Sequence, residues 1–399
     1  MNTPTMPQNP LLSVVSDPDA HRILQGPSTD LAQATRPPFF RNDHSPVQWT
    51  NSDWKEMEAN REDLFDMAAA RAQFDRDRFL MDGYAVFEGI ILPKAKEAWT
   101  AALQYGQNLN DTLLQADWSE IDWHGLGRTP PEETLTPEAI EGALGGSQSV
   151  PQETDVAGVK TLREHSVFAE YFPAGHIPFM MIVLTHPHML ELHRMCLGCD
   201  TIYSDHNQLL SRRGGYAGCP WHSHPIGSRY DDRGVATPAE YDAQANAILT
   251  LCYLNGFEAE RDGGLKIIRG SHLFRDPTGC HAESDEEMRQ GWLRGRTHPV
   301  TGEPLEIEHL SLPPGSVACC LSHAVHGVAE KAPGKETRWC SLYCYRKSDT
   351  NDGHAQPPTS VPPVWALKAS RRELPSTLAE LLRPSYDREL TDGRTKHVD

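Results

Sequence analysis

The sequence predicts a mainly β protein, an antiparallel sandwich or barrel with flanking helices. Short apolar stretches recur from about 165 to 347, at 201–211, Ala247–Tyr253, Leu265–Ile268, Ser316–Leu321 and 339–345, each bounded by Gly, Pro or Asp clusters. Helices do not alternate with these stretches, which argues against a parallel doubly wound sheet. The 3.6-residue period is instead strongest ahead of them and near the C-terminus.

Taken in order, residues 1–60 are rich in Pro, Asn, Ser and Thr with scattered aromatics, and read as an extended arm that docks by those aromatics. A helix is predicted from 51–53 to a stop at Gly83, then a strand over 84–91, then a helix opened by Pro93. Residues 110–165 are polar and weakly periodic, so they read as an insertion. The strand-rich stretch completes one domain over 61–347. Residues 348–399 form a linker and one amphipathic helical stretch, expected to pack on the barrel or on a partner chain.

Composition narrows the function classes. With 37 basic and 55 acidic residues the formal charge is −18, which disfavours nucleic acid or an anionic membrane as main partner. The longest apolar run, 178–187, is too short to span a bilayer. The N-terminus has neither the basic region nor the apolar core of a secretory signal, and nine cysteines is an odd count without a disulfide framework. A reducing, cytoplasmic setting is the expectation. Cys196 and Cys199 have CxxC spacing, but no second pair follows, so they read as structural thiols. The 38 % hydrophobic fraction and 31 prolines are those of an ordinary core diluted by polar ends and an insertion.

Among 19 histidines, three stand apart. His222 and His224, in Trp221-His222-Ser223-His224-Pro225, follow a strand and a Gly/Pro turn. On an extended segment residues i and i+2 face one side, so both imidazoles can converge. His326 lies 104 residues further on, at the end of the strand containing Ser316–Leu321. Two ligands from one strand and a third from a distant one is how non-heme Fe(II) sites leave one face open. Spacing alone leaves a metal site and ordinary histidines equally open. Arg338, on the following strand, suits a bidentate grip on a dicarboxylate, or is an exposed arginine at a strand end. Gln208 is placed to hydrogen-bond the same ligand or to lie on a sheet surface, and Asn255 and Trp221 either line the pocket or are structural. A second His-x-His, His186 and His188, runs into an amphipathic helix and reads as structural. His323 falls on the opposite face of its strand.

Five segments, in order, resemble the phytanoyl-CoA dioxygenase family of Fe(II)/2-oxoglutarate oxygenases. Residues 74–93 resemble its helix-then-strand opening, and 205–212 the strand before its metal motif. Residues 221–225 occupy the place of its W-H-x-D motif, and 263–272 are similar to its G-x-L-x-x-x-P-G-S-H segment. Residues 313–327 with Arg338 resemble its second metal histidine and its oxoglutarate arginine. The resemblance covers about 74–347. It implies a double-stranded β-helix (a jelly-roll, cupin-like barrel), iron on His222 and His326 with position 224 as the third ligand place, and 2-oxoglutarate on Arg338. It also implies that His272 caps a turn, and that O2 and a small organic substrate complete the reaction. A homo-oligomer is left open.

The chain departs from the family at position 224, where His replaces Asp or Glu. Three readings follow. His224 binds the metal in a three-histidine site; or Asp231 or Asp232 loops back as third ligand with His224 behind it; or the site is altered and the family's reaction is lost. The expected function is a 2-oxoglutarate-dependent dioxygenase that hydroxylates a small molecule. Alternatives are a three-histidine dioxygenase independent of 2-oxoglutarate and a non-enzymatic metal- or ligand-binding barrel.

Overall fold

A computed structural model describes residues 51–115, 152–156, 159–163, 166–168, 178–224, 245–274, 280–347 and 376–381. The single helix expected over 51–82 is three helices, α1 (Asn51–Asn60), α2 (Met67–Gln73) and α3 (Arg76–Asp82). Aspartates make the breaks: Asp66 accepts from the Ala69 N–H at 2.9 Å and Asp75 from the Arg78 N–H at 3.1 Å. A carboxylate at an N-cap satisfies helix-end donors that a continuous helix would leave no room for. Trp54 and Met57 of α1 are buried in the main core. Gly83 ends α3 in the left-handed region, and β1 (Tyr84–Phe87) follows, shorter than the strand expected to reach 91.

The helix α4 (Pro93–Gln115) runs past the expected start of the insertion, and within the insertion β2 (Gln152–Val156) and β3 (Val159–Arg163) form a two-stranded ladder. The strand β4 (Ser166–Phe168) precedes two apolar helices, α5 (Pro178–Thr185) and α6 (Pro187–Leu197). Then come β5 (Ile202–Arg212), β6 (Cys219–His222), β7 (Ala247–Tyr253), β8 (Leu265–Ile268), β9 (His281–Ala282), α7 (Asp285–Gln290), β10 (Ile307–His309), β11 (Ser316–Leu321), β12 (His326–Val328) and β13 (Arg338–Lys347). His326 therefore opens a separate short strand; the turn at 322–325 divides it from β11.

The strands form a six-stranded antiparallel sheet, β1-β11-β7-β13-β5-β4, and a five-stranded one, β10-β8-β12-β6-β9. From β5 onward the chain alternates between them: β5 large, β6 small, β7 large, β8 small, then β11 large, β12 small, β13 large. One face of the large sheet is covered by helices. Tyr343 of β13 meets Trp99 of α4 edge-on at 6.1 Å, and the Tyr345 hydroxyl donates to the Leu184 carbonyl of α5 at 2.6 Å. By the period of two, Arg338, Cys340 and Leu342 point the other way, towards the small sheet. Leu265 and Ile267 of the small sheet join that main core. Its outer face, with Trp221, Ile268 and Ala282, packs under Cys280, Met288, Leu293 and Leu305 in a second cluster. Trp99 is fully buried between Phe65, Phe179 and Tyr343, and truncating it to Ala is expected to cost about 3–5 kcal/mol.

His272 sits in a 3-10 turn, but its ring does not cap that turn as the family resemblance implies; it reaches the end of α3 instead. Its Nε2–H donates to the Leu80 carbonyl at 2.8 Å, and His298 Nε2–H donates to Met81 at 3.1 Å. These rings satisfy carbonyls at the end of α3 that no helical N–H reaches. Leu378 and Leu381, in a helical turn at 376–381, are buried in the main core. Among the described residues no helix is long and apolar enough to cross a membrane.

Candidate metal centre

The small sheet brings His222 and His326 into direct register. They are cross-strand partners of β6 and β12, and His326 also pairs with Ile267 of β8. Paired residues share a face, so both imidazoles project with Ile267 towards the large sheet. The approach of β6 to β12 depends on Gly218, whose φ is +88° and where an added Cβ would lie 2.7 Å from the Val328 carbonyl oxygen. His224 lies two residues past β6, where its N–H donates to the Ser322 carbonyl at 3.1 Å.

One ligating nitrogen from each of His222, His224 and His326 lies within 4.8 Å of the other two. Ring centroids are 4.3 Å apart for His222 and His326, and 5.7 Å for each pair that includes His224. Among the described residues this is the one group of three or more His, Cys, Asp or Glu so arranged. His326 is buried and the other two are half-buried, so the cluster is open on one side.

The tautomers are set by the backbone. His222 Nδ1 lies 3.0 Å from the Pro220 carbonyl oxygen and His326 Nδ1 2.7 Å from that of Ala324. A carbonyl only accepts, so Nδ1 carries the proton in each ring and Nε2 presents a lone pair. A ligating histidine is oriented in this way when its other nitrogen donates to a backbone carbonyl. Burial pushes His326 down to about 3, helped by the neighbouring His222 charge and opposed by the Ala324 carbonyl. Burial also works against a charged His222, but its hydrogen bond and attraction to Cys219, with the Pro220 carbonyl, raise it overall. The donor set fits a divalent cation: three nitrogens converge, two are fixed as acceptors, and one face is open.

Arg338 opens β13 opposite Arg212 at the end of β5. Arg338 is 2 % exposed and its Nε and Nη1 have no hydrogen-bond partner. Its guanidinium lies over the Tyr253 and Phe257 rings, at 5.3 and 5.9 Å from their centroids. Arg212 is also buried; its Nη1 donates to the Ser211 carbonyl at 3.3 Å, its Nε has no partner, and its guanidinium lies over Tyr216 at 4.7 Å. Burial lowers the Arg338 pKa, and the Arg212 charge adds to that. Two adjacent buried guanidiniums with no carboxylate partner among the described residues are costly unless an anion joins them. Arg212 was not singled out from sequence, although it alternates with Gln208 and Leu210 along one strand, and that period is the signal that finds it.

The other sequence candidates separate clearly. The backbone of Gln208 pairs with Leu342 and Phe168, but its side chain lies outside the described residues, as do Asp231 and Asp232. Trp221 does not line the cluster: it faces the outer cluster, and its Nε1–H donates to Asp285 Oδ1 at 2.8 Å. Asn255 ties the ends of β7 and β13, donating to the Thr337 carbonyl and accepting from the Trp339 N–H, both at 2.8 Å. His323 lies outside the triad, its ring 6.0 Å from that of His272. Cys196 is fully buried and Cys199 half-buried, and among the described residues neither belongs to a metal-type cluster.

No family model matches the chain, and no curated protein matches it in sequence. Among solved structures, AviO1 from Streptomyces viridochromogenes Tue57 is similar at 17 % identity and a TM-score of 0.43, over 72 % of this chain and 98 % of that one. EctD from S. alaskensis, solved with 2-oxoglutarate and 5-hydroxyectoine, gives 18 % and 0.39 over 68 % and 74 %. HygX from Streptomyces hygroscopicus, with nickel and 2-oxoglutarate bound, gives 12 % and 0.40 over 69 % and 88 %.

Proposed function

We propose that the protein is a mononuclear non-heme iron dioxygenase that uses 2-oxoglutarate to oxidise a small organic molecule. The observation that carries this reading is the convergence of His222, His224 and His326 within 4.8 Å, with Nδ1 of two rings tied to backbone carbonyls. The alternation of β5–β8 and of β11–β13 between two antiparallel sheets supports a double-stranded β-helix, with His222 and His326 on the smaller sheet. His222, His224 and His326 would hold iron(II), which together with 2-oxoglutarate and O2 would supply an oxidant for a substrate C–H bond as 2-oxoglutarate is converted to succinate and carbon dioxide.

The chain's own tasks follow from the site. His222 and His326 present fixed lone pairs, so little reorganisation accompanies binding of the cation. His224 is a neutral donor where a carboxylate would bring a negative charge, so the occupied site carries one more unit of positive charge. Arg338 and Arg212 supply unpaired N–H donors in a buried, water-poor corner, and a terminal carboxylate satisfies both. Ile267, beside His326 on the same face, keeps that side apolar.

A second reading, a three-histidine dioxygenase independent of 2-oxoglutarate, is favoured by His224 alone. The unpaired guanidiniums favour the first. Anaerobic addition of Fe(II) and then 2-oxoglutarate tests the choice. The first reading expects a visible charge-transfer band and, on admitting air, succinate. Metal binding with neither band nor succinate would support the second.

A further inference from the structure

Behind the histidine cluster, on the outer face of the small sheet, lies a buried charged group that takes no part in holding a metal or 2-oxoglutarate. Lys266 of β8 is 7 % exposed, and its Nζ lies 2.6 Å from Asp285 Oδ1. The same carboxylate accepts from Trp221 Nε1–H at 2.8 Å and, through Oδ2, from His309 Nε2–H at 2.9 Å. The Lys266 ammonium also sits 4.4 Å from the centroid of the Trp221 ring. Partial burial works against a charged Asp285, but the hydrogen bonds from Lys266, His309 and Trp221 and the Lys266 charge hold its pKa down at about 2.

This group touches the residues flanking two of the three histidines. Trp221 immediately precedes His222. Gly327 immediately follows His326, and a Cβ there would lie 2.9 Å from Lys266 Cε and 3.1 Å from the Cys219 and Pro220 carbonyl oxygens. The lysine stem thus crosses β12 where only a glycine leaves it room. Between the two histidines of the motif, Ser223 is held twice: its N–H donates to the Cys280 carbonyl at 3.0 Å, and its Oγ accepts from the Cys280 N–H at 2.8 Å. Trp221 and His222 also pair with Ala282 and His281 of β9. The histidine segment is therefore pinned along its outer edge by 280–285 and from behind by Lys266.

We propose that Lys266, Asp285 and Ser223 are positioning residues, which fix the backbone carrying His222, His224 and His326 so that their imidazoles converge. The proposal rests on the reading that those imidazoles hold a metal. Small displacements of ligating groups cost affinity even where no ligand is lost.

Cobalt(II) titration of the full chain tests it, with affinity from chelator competition, the visible Co(II) spectrum as a report of ligand geometry, and the melting temperature of the metal-free protein. Asp285→Asn and Lys266→Met are expected to weaken Co(II) binding by about 10–100-fold and to shift the spectrum, and Ser223→Ala to do so several-fold. Should either charge variant fail to fold, Lys266→Met/Asp285→Leu removes both charges together, and the same loss is expected. Variants that melt lower yet bind Co(II) with unchanged affinity and spectrum would overturn the positioning role while leaving the metal site intact. A wild-type chain that binds no Co(II) would instead remove the reading on which it rests.

Discussion

The chain carries two His-x-His pairs, and the contrast between them shows what makes such a pair a site. His186 and His188 lie at the start of α6 with rings 4.8 Å apart, closer than the 5.7 Å between His222 and His224. All four nitrogens of the first pair are engaged locally. His186 Nε2–H donates to the Glu62 carbonyl at 3.0 Å, and its Nδ1 accepts from the His188 N–H at 3.1 Å. His188 Nδ1 accepts from the Phe65 N–H at 3.2 Å, and Nε2 lies 3.3 Å from Asp63. That pair splices α6 to the 62–65 segment. In the second cluster, Nδ1 of His222 and of His326 each lies against a backbone carbonyl, and one ligating nitrogen from each ring is within 4.8 Å of one from His224. Spacing is shared; what differs is where the lone pairs go.

The largest expected difference is in metal affinity. His222→Ala or His326→Ala should weaken divalent-metal binding by more than about 100-fold, beyond the loss from an outer residue. His186→Ala should leave it unchanged and lower unfolding stability by about 1–2 kcal/mol, because a part-buried carbonyl and an N–H lose their partners. Metal titration and urea unfolding of the same variants read both effects. Next is the arginine corner, where unsatisfied donors again mark the open site. Arg338→Met should raise the dissociation constant for 2-oxoglutarate about 10–100-fold, the value of hydrogen bonds to a charged group, with metal affinity little changed.

Acid sharpens the contrast further. Burial, then the His188 and Arg61 charges, push His186 down to about 3, against the raising effect of the Glu62 carbonyl. Its pKa when unfolded is about 6.5, so its contribution is complete above that pH and is lost progressively as pH falls towards 3. Replacing it by Gln should flatten the fall in stability between pH 6 and 4 by about one proton, roughly 1.4 kcal/mol per pH unit. The smallest effect belongs to His188→Ala, which strands only the part-buried Phe65 N–H; about 1 kcal/mol of stability and no metal affinity should be lost.

Much of this was legible in the sequence, for identifiable reasons. The strands Ala247–Tyr253, Leu265–Ile268 and Ser316–Leu321 appear at their expected bounds because continuous apolar runs closed by turn residues admit little else. The short strands β6, β9, β10 and β12 have no such signature. Their ladders are set by partners far away in the chain, as in His326 with His222 and Ile267. The three-way break of the first helix depends on Asp66 and Asp75 acting as caps inside a strongly helical pattern, which periodicity passes over. The histidines were visible as a motif, but the carbonyls of Pro220 and Ala324 that fix their tautomers were not, because any residue supplies a carbonyl. Arg212 was hidden because its significance depends on the cross-strand partner Arg338.

His224, as the proposed third ligand, joins His222 and His326 in one three-imidazole site. X-ray absorption on the Zn(II)- or Fe(II)-loaded protein counts coordinated imidazoles directly. Three are expected in the wild type and two in His224→Ala. Two in both proteins would contradict that role.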